Sequence, residues 1–292
     1  QSKMSLLNIF IDQIMALAKD SQICSSDPKR THGRTLRDVW PPGCGLRIER
    51  SAMWFPTLKW IYRAWRYRLA TERDEIAFVR SHLGPGDVAI DIGAHKGAFS
   101  YWMARQVGPR GHVFSFEPQP VLANRLVQLV RGQNWSQVTV ENRALSSQEG
   151  VATLSVPGGK PSPGATLEPR DVNLCEQITV PVSTLDSYFA DRQVSAIKLV
   201  KCDVEGHELE VFRGAAQLLR QHKPLLLFEC ETRHRQDGRL DDVFRFLIDL
   251  GYRGEFFRQG KLTSLQQFDP VIHQADPENA AYANNFVFTA TA

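Results

Sequence analysis

No two of the five cysteines (Cys24, Cys44, Cys175, Cys202 and Cys230) stand at C-x-x-C or zinc-type spacing, and their number is odd. That pattern excludes a disulfide framework and a cysteine-held metal, and we expect reduced thiols and a cytoplasmic protein. No apolar run approaches the roughly 20 residues needed to span a bilayer. The opening residues lack the charged–apolar–small order of a secretory signal. Gln1–Ser2 reads as the remnant of a cleaved tag, with Met4 as the expected natural start. Charge of one sign is also scarce: the formal net charge is +3 over 292 residues, which gives no electrostatic case for nucleic acid. No internal repeat is present. A glycine triplet of the form G-x-G-x-x-G is missing as well, which disfavours a dinucleotide.

What is present is a large apolar fraction, 42% of residues, enough for one α/β domain with an extension. Residues 5–19 carry Leu6, Leu7, Phe10, Ile11, Ile14, Leu17 and Ala18 at helical spacing, an amphipathic helix suited to docking on its own domain or on a twin subunit in a homodimer. Residues 21–50 hold Ser, Pro and Gly in quantity and read as a connection. Residues 53–70 interleave Trp54, Trp60, Tyr62, Trp65 and Tyr67 with Lys59, Arg63, Arg66 and Arg68. Such a stretch can bind RNA. Its Leu58, Ile61, Trp65 and Leu69 also share one helical face, so a packed helix explains it. We therefore divide the chain into an extension, 1–71, and a main domain, 72–292.

From residue 72 strands and helices alternate. Strands are expected at 88–91, 112–117, 138–144, 151–156, 178–182, 196–203, 224–230, 252–257 and 284–290, with helices at 73–83, up to 107, 119–131, 184–190, 207–220 and 241–250. The short continuous apolar strands predict a mostly parallel, doubly wound, Rossmann-like sheet of about seven strands, with an antiparallel pair at the C-terminal edge.

In such a sheet ligands bind beyond the carboxyl ends of the strands. The first strand ends in Asp91-Ile92-Gly93-Ala94-His95-Lys96-Gly97. Gly93 allows a sharp turn and Gly97 a close approach of backbone and ligand. The amides at the helix start favour a carboxylate, and Asp91 is placed to meet an ammonium group. An amine and a carboxylate together describe the methionine portion of S-adenosyl-L-methionine. Glu117, at the end of the next strand, suits a pair of ribose hydroxyls. Asn142 and Ala144 reach the same rim and suit an adenine. Ala94, His95 and Ser100 in the turn, and Pro118 after Glu117, complete the candidate cofactor-binding set. Further on, Asp203, Glu205 and His207 fall within five residues at another strand end, where one of them could take a proton from an acceptor. Asp203 with Glu229 and Glu231 could supply oxygen ligands to a divalent metal, a role we do not favour.

Taken in order, VAIDIGAHKGAFS, FSFEPQP, ENRALSSQEG, TLDSY, IKLVKCDVEGHELEVFRGA and PLLLFE resemble the FkbM-type methyltransferases over about residues 72–290. The resemblance implies a class I methyltransferase fold and methyl transfer to a hydroxyl of a small natural product, sugar or glycolipid-like acceptor. It implies that Asp91, Gly93 and Gly97 line the methionine end of the donor, that Glu117 holds the ribose, and that Asn142 and Ala144 border the adenine. Asp203 would face the donor amine or the acceptor, and Glu205 would belong to the same signature. The family usually has Asn where this chain has His95. A nucleic-acid-directed enzyme using residues 53–70, and a nicotinamide oxidoreductase, are the competing readings.

Overall fold

The computed structural model describes residues 57–234 and 240–291; the amphipathic stretch 5–19, the connection 21–50, Trp54, Cys24 and Cys44 lie outside them. Eight strands form one twisted sheet in the order β10-β9-β11-β8-β7-β1-β2-β3. These are β1 (Val88–Ile92), β2 (His112–Phe116), β3 (Val138–Glu141), β7 (Ile197–Cys202), β8 (Leu225–Glu229), β9 (Tyr252–Arg258), β10 (Lys261–Ser264) and β11 (Asn285–Ala290). The five strands from β3 to β8 pair in parallel, whereas β11 runs antiparallel to both β8 and β9, and β10 antiparallel to β9. The mostly parallel sheet with an antiparallel edge is as expected. The edge itself is built differently: the hairpin joins β9 to β10, and the last strand slots between β8 and β9.

Alternation along the central strands separates two cores. Val88, Ile90 and Ile92 of β1 join one buried cluster with Val200, Cys202, Leu226 and Phe228. Ala89, Leu199 and Leu227 point to the opposite face and join Trp60, Ile76, Val79 and Met103. Parallel strands covered on both faces must be apolar on both, which is why β1 is buried at every position.

A second sheet of three strands, β4 (Ala144–Leu145), β5 (Gly150–Pro157) and β6 (Cys175–Ser183), lies beside the first in the order β4-β6-β5. The single strand expected at 138–144 is therefore two. It breaks at Asn142-Arg143, where Asn142 Nδ2 turns back to donate to the carbonyls of Glu117 (2.9 Å) and Pro118 (3.0 Å). The helix expected at 207–220 is also two, Glu208–Arg213 and Ala216–His222. A Cβ on Gly214 would stand 2.0 Å from the carbonyl oxygen of Ser146. The chain bends there to let the two backbones touch.

Residues 57–66 are helical and continue as a wider π turn over Tyr67–Thr71. Trp60 and Ala64 are fully buried, with Ile61, Trp65 and Tyr67 packed beside them. The buried face is thus centred on Trp60 and Ala64, not on Leu58 and Leu69. Trp60 Nε1 donates to the Gly97 carbonyl at 2.8 Å and its ring packs edge-on against Tyr101 and Trp135. Trp65 packs edge-on against Trp102, and Arg68 lies over both rings. The aromatics of this stretch form core. Among the described residues no helix is long and apolar enough to cross a membrane, and Cys175, Cys202 and Cys230 are free thiols.

Candidate active site

The order of strands reverses at β1: the chain proceeds outward through β2 and β3, then returns to add β7 and β8 on the other side. The carboxyl ends of these strands open onto a cleft of about 240 Å³. Register sets its floor. Asp91 is the partner of Ser115 on one side and of Lys201 on the other, and Lys201 is the partner of Leu227. With period two along each strand, these four side chains share one face and form a row across the sheet, polar in its first three members.

Asp91 is fully buried. Its Oδ2 accepts from Ser100 Oγ at 2.5 Å, and Ser100 Oγ accepts in turn from Ser115 Oγ at 3.0 Å. Its Oδ1 has no hydrogen-bond partner, and the residue lines the cleft. Burial pushes the Asp91 pKa up, against the pull of the Lys201 ammonium and the Ser100 hydroxyl. Lys201 is buried and donates to Asp203 Oδ2 at 3.0 Å. Burial alone would favour its neutral form, but Asp203 and Asp91 together outweigh that and keep the ammonium charged.

The glycine turn is held by its own amides. Gly93 and Ala94 both donate to the Phe116 carbonyl (3.0 and 2.9 Å), Gly97 to Ala94 (2.7 Å), and His95 to Glu117 Oε2 at 2.6 Å. These four amides are spent on the fold; the amides of the helix start, expected to favour a carboxylate, begin at Ala98. The role of Gly97 is corrected. It adopts φ 73°, and a Cβ there would lie 2.4 Å from Leu126 Cδ1, so the close approach it permits is to the helix behind. Gly93, at φ 74°, presses against the Asp203 carbonyl, where a Cβ would come within 1.8 Å. That contact fastens the turn to the end of β7.

Glu117 is buried, with Oε1 accepting from the Gln119 amide at 2.8 Å and Oε2 from His95. Burial outweighs these bonds and raises its pKa to about 7. Each oxygen keeps a second lone pair, and Glu117 lines the cleft. Ala144 lines the cleft with Arg143 and Leu145. Asn142 does not: its amide faces the Glu117 and Pro118 carbonyls, and Arg143 takes the rim in its place. Ser100 lies behind Asp91, outside the lining. Ala94, His95 and Pro118 belong to it.

Asp203, Glu205 and His207 all reach the cleft, but two are already engaged. His207 Nδ1 donates to Glu168 Oε1 at 2.8 Å, and Nε2 meets Ser146 Oγ at 2.9 Å. Glu205, in the left-handed region at φ 57°, pairs through Oε2 with His234 Nδ1 at 2.9 Å. With both ring nitrogens clamped, His207 is a brace between the 158–174 loop and the end of β4. Asp203 keeps one carboxylate oxygen outside its bond to Lys201. Glu231 does not join Asp203. It is bound by Arg233 (Nε at 2.5 Å), Tyr282 and Asn284. Burial opposes its ionisation, but bonds from Glu229, Tyr282, Arg233 and Asn284 outweigh this and hold its pKa at about 2. Burial and Asp203 raise that of Glu229. Among the described residues no three His, Cys, Asp or Glu side chains converge to hold a metal ion.

Arg63 and Tyr67, from the basic aromatic stretch, line the cleft; the sequence reading missed Glu72, Arg143, Lys201 and Asn285 as lining residues. Lys201 carried a signal, since a lysine inside a buried apolar strand requires a counter-charge. The others are brought in by tertiary packing and had none. The 158–174 loop forms another wall. Gln119 latches it through Nε2 to the Ser162 carbonyl and through Oε1 from the Ser162 amide, both at 2.9 Å. Pro163, Ala165, Thr166 and Leu167 then face the cleft.

The model of the FkbM methyltransferase domain matches residues 91–253, more than half of the chain, from the buried Asp91 past the last parallel strand. This chain belongs to the FkbM methyltransferase family. It is 28% identical over 165 residues to the hexuronic acid methyltransferase AglP of Haloferax volcanii, an alignment covering 56% of this chain and 65% of that protein. It is 29% identical over 202 residues to the 31-O-demethyl-FK506 methyltransferase FkbM of Streptomyces tacrolimicus, covering 58% of this chain and 74% of that one. The chain thus spans slightly less than two thirds of the first relative. The solved FkbM methyltransferase of Methylobacillus flagellatus superposes with a TM-score of 0.44 at 17% identity, over 80% of this chain and 54% of that chain. As an FkbM-family member the chain has a class I methyltransferase fold, which agrees with the sheet described above.

Proposed function

We propose that this FkbM-family chain is an S-adenosyl-L-methionine-dependent O-methyltransferase whose acceptor is a hydroxyl of a small natural product, a sugar or a glycolipid-like molecule. The observation that carries the reading is Asp91 Oδ1, a buried carboxylate oxygen with no partner at the floor of the cleft. Such an atom costs free energy unless a ligand donor meets it, and the donor's ammonium group is one. The rest of the cleft suits the remainder of that molecule: Glu117 for the ribose hydroxyls, and Ala144 with Leu145 for an apolar face of the adenine, beside Arg143. The acceptors for which the two relatives are named, a hexuronic acid and 31-O-demethyl-FK506, support the acceptor class.

When bound, the donor supplies a methyl group already attached to its leaving group. The protein's task is then alignment, and removal of the acceptor proton where needed. Asp203 is our candidate to accept that proton, because its carboxylate lines the cleft with one oxygen outside the Lys201 bond. Lys201 fixes that carboxylate, and His207 and Glu205 brace the segment around it. Incubating the protein with methyl-labelled donor and a panel of sugars, uronic acids, polyhydroxylated natural products and RNA tests the reading. Label in a hydroxyl compound supports it. Label in RNA, dependent on Arg63 and Arg66, would replace it with the competing reading.

A further inference from the structure

Arg63, on the 57–66 helix, and Lys96, in the glycine turn, both line the cleft, as does His95. Among the described residues neither takes part in an ion pair or a side-chain hydrogen bond. Burial, then the nearby Arg125, destabilises the charged form of Arg63, and burial, then Arg63 and Arg125, that of Lys96. Three carboxylates of the lining are engaged with other groups: Asp203 with Lys201, Glu205 with His234, and Glu117 with two amides. His95 Nε2 is buried without a partner in the same place. Burial, then the nearby Lys96 charge, lowers the pKa of His95 to about 4, so the imidazole is neutral and adds no third charge. Four of the turn amides that would otherwise receive an anion are consumed by the fold. Two partly buried cations in one cleft lining, neither in an ion pair, are an electrostatic cost that a ligand anion relieves. An arginine fork is shaped to receive a carboxylate through two bonds.

We propose that Arg63 and Lys96, beside His95 Nε2, form an oxyanion subsite that takes a carboxylate of the bound ligands. The proposal deepens the methyl-transfer reading and rests on it for the source of the anion, which is either the α-carboxylate of the methyl donor or an acid group on the acceptor. Thermal unfolding tests it with inorganic phosphate as the probe, against sodium chloride at equal ionic strength. The measurement is made on the protein alone and on protein saturated with S-adenosylhomocysteine. The subsite predicts that phosphate raises the wild-type midpoint by about 2–4 °C over chloride. It predicts that Arg63→Gln, Lys96→Gln and the double variant lose this rise while the charge-keeping Arg63→Lys retains most of it. If saturation with S-adenosylhomocysteine abolishes the phosphate effect, the donor carboxylate fills the subsite. If the effect persists, the subsite is free for an acidic acceptor. A wild-type protein that phosphate stabilises no more than chloride, or neutral variants that respond as wild type does, would overturn the proposal. Failure of S-adenosylhomocysteine to shift the midpoint at all would count against the methyl-transfer reading, while the phosphate comparison would still read the subsite.

Discussion

The indole N–H of Trp60 donates to the carbonyl of Gly97 at 2.8 Å, tying the 57–66 helix to the last residue of the glycine turn. Two regions that are 37 positions apart in sequence are thereby one structural unit. The turn that carries the candidate donor site has its outer edge fixed by an aromatic cluster of the buried Trp60 and Tyr101 with the partly buried Trp135.

Trp60→Phe should therefore act at a distance. It leaves the Gly97 carbonyl without its indole donor and opens a small void, at a cost of about 1–3 kcal/mol. Urea unfolding should show that loss. Calorimetry should show weaker binding of S-adenosylhomocysteine although Trp60 lies outside the cleft lining.

Gly93→Ala attacks the same turn from the other side. The added methyl meets the Asp203 carbonyl, a backbone atom that cannot swing away, at a residue already in the left-handed region. The end of β1 and the end of β7 must separate. We expect at least a tenfold loss of S-adenosylhomocysteine affinity with near-native circular dichroism. Gly86→Ala also replaces a positive-φ glycine, but its Cβ meets nothing within 4 Å. It should cost only stability, by about 1 kcal/mol.

His207→Ala removes the clamp between Glu168 and Ser146. The brace account predicts faster proteolysis within residues 158–174 and a fall in kcat at nearly unchanged donor affinity. Limited proteolysis separates this from a role as base: if His207→Ala lowers turnover while the loop is cut at the wild-type rate, the ring has a chemical role and the brace account is wrong.

Stability should fall as pH rises through the neutral range. Burial, then Glu75 and Asp203, raise the pKa of Glu72 to about 8, and burial raises that of Glu117 to about 7. Both start near 4.5 in the unfolded chain. A raised folded pKa means that the native state binds more protons above pH 4.5, so the stability these groups contribute is lost as pH climbs through about 7 and 8. His95 works the other way, because its lowered pKa gives a gain between about pH 4 and 6.5 that is complete by neutrality. Above pH 6.5 the two glutamates act with Asp91 and Glu229, whose pKa values burial also raises. The melting temperature should drop between pH 6.5 and 8.5, and Glu72→Gln should flatten that drop.

The parts of the site legible in the sequence were those with a local signature. The apolar strand running into Asp91 and Gly93, the acid ending β2, and the cluster at 203–207 all stand at strand ends, and strand ends can be read from periodicity. What each residue does there depends on partners that lie far along the chain. Gly97 packs on Leu126, the His95 amide is captured by Glu117, and His207 is clamped by Glu168 and Ser146; none of these pairings leaves a trace in spacing. The same holds for the fold. The parallel core followed from continuous apolar strands, whereas β10 (Lys-Leu-Thr-Ser) is too short and polar to announce itself. The break at Gly214 exists because the Ser146 backbone lies against it.

The central claim is that the cleft over Asp91 binds a methyl donor, and calorimetric titration of S-adenosylhomocysteine into the wild-type protein and Asp91→Asn measures it most directly. Saturable binding by the wild type, weakened about a hundredfold or more in Asp91→Asn as a charged hydrogen bond is lost, is the result this account predicts. No binding by the wild type at millimolar ligand, or equal affinity in the two proteins, would contradict it.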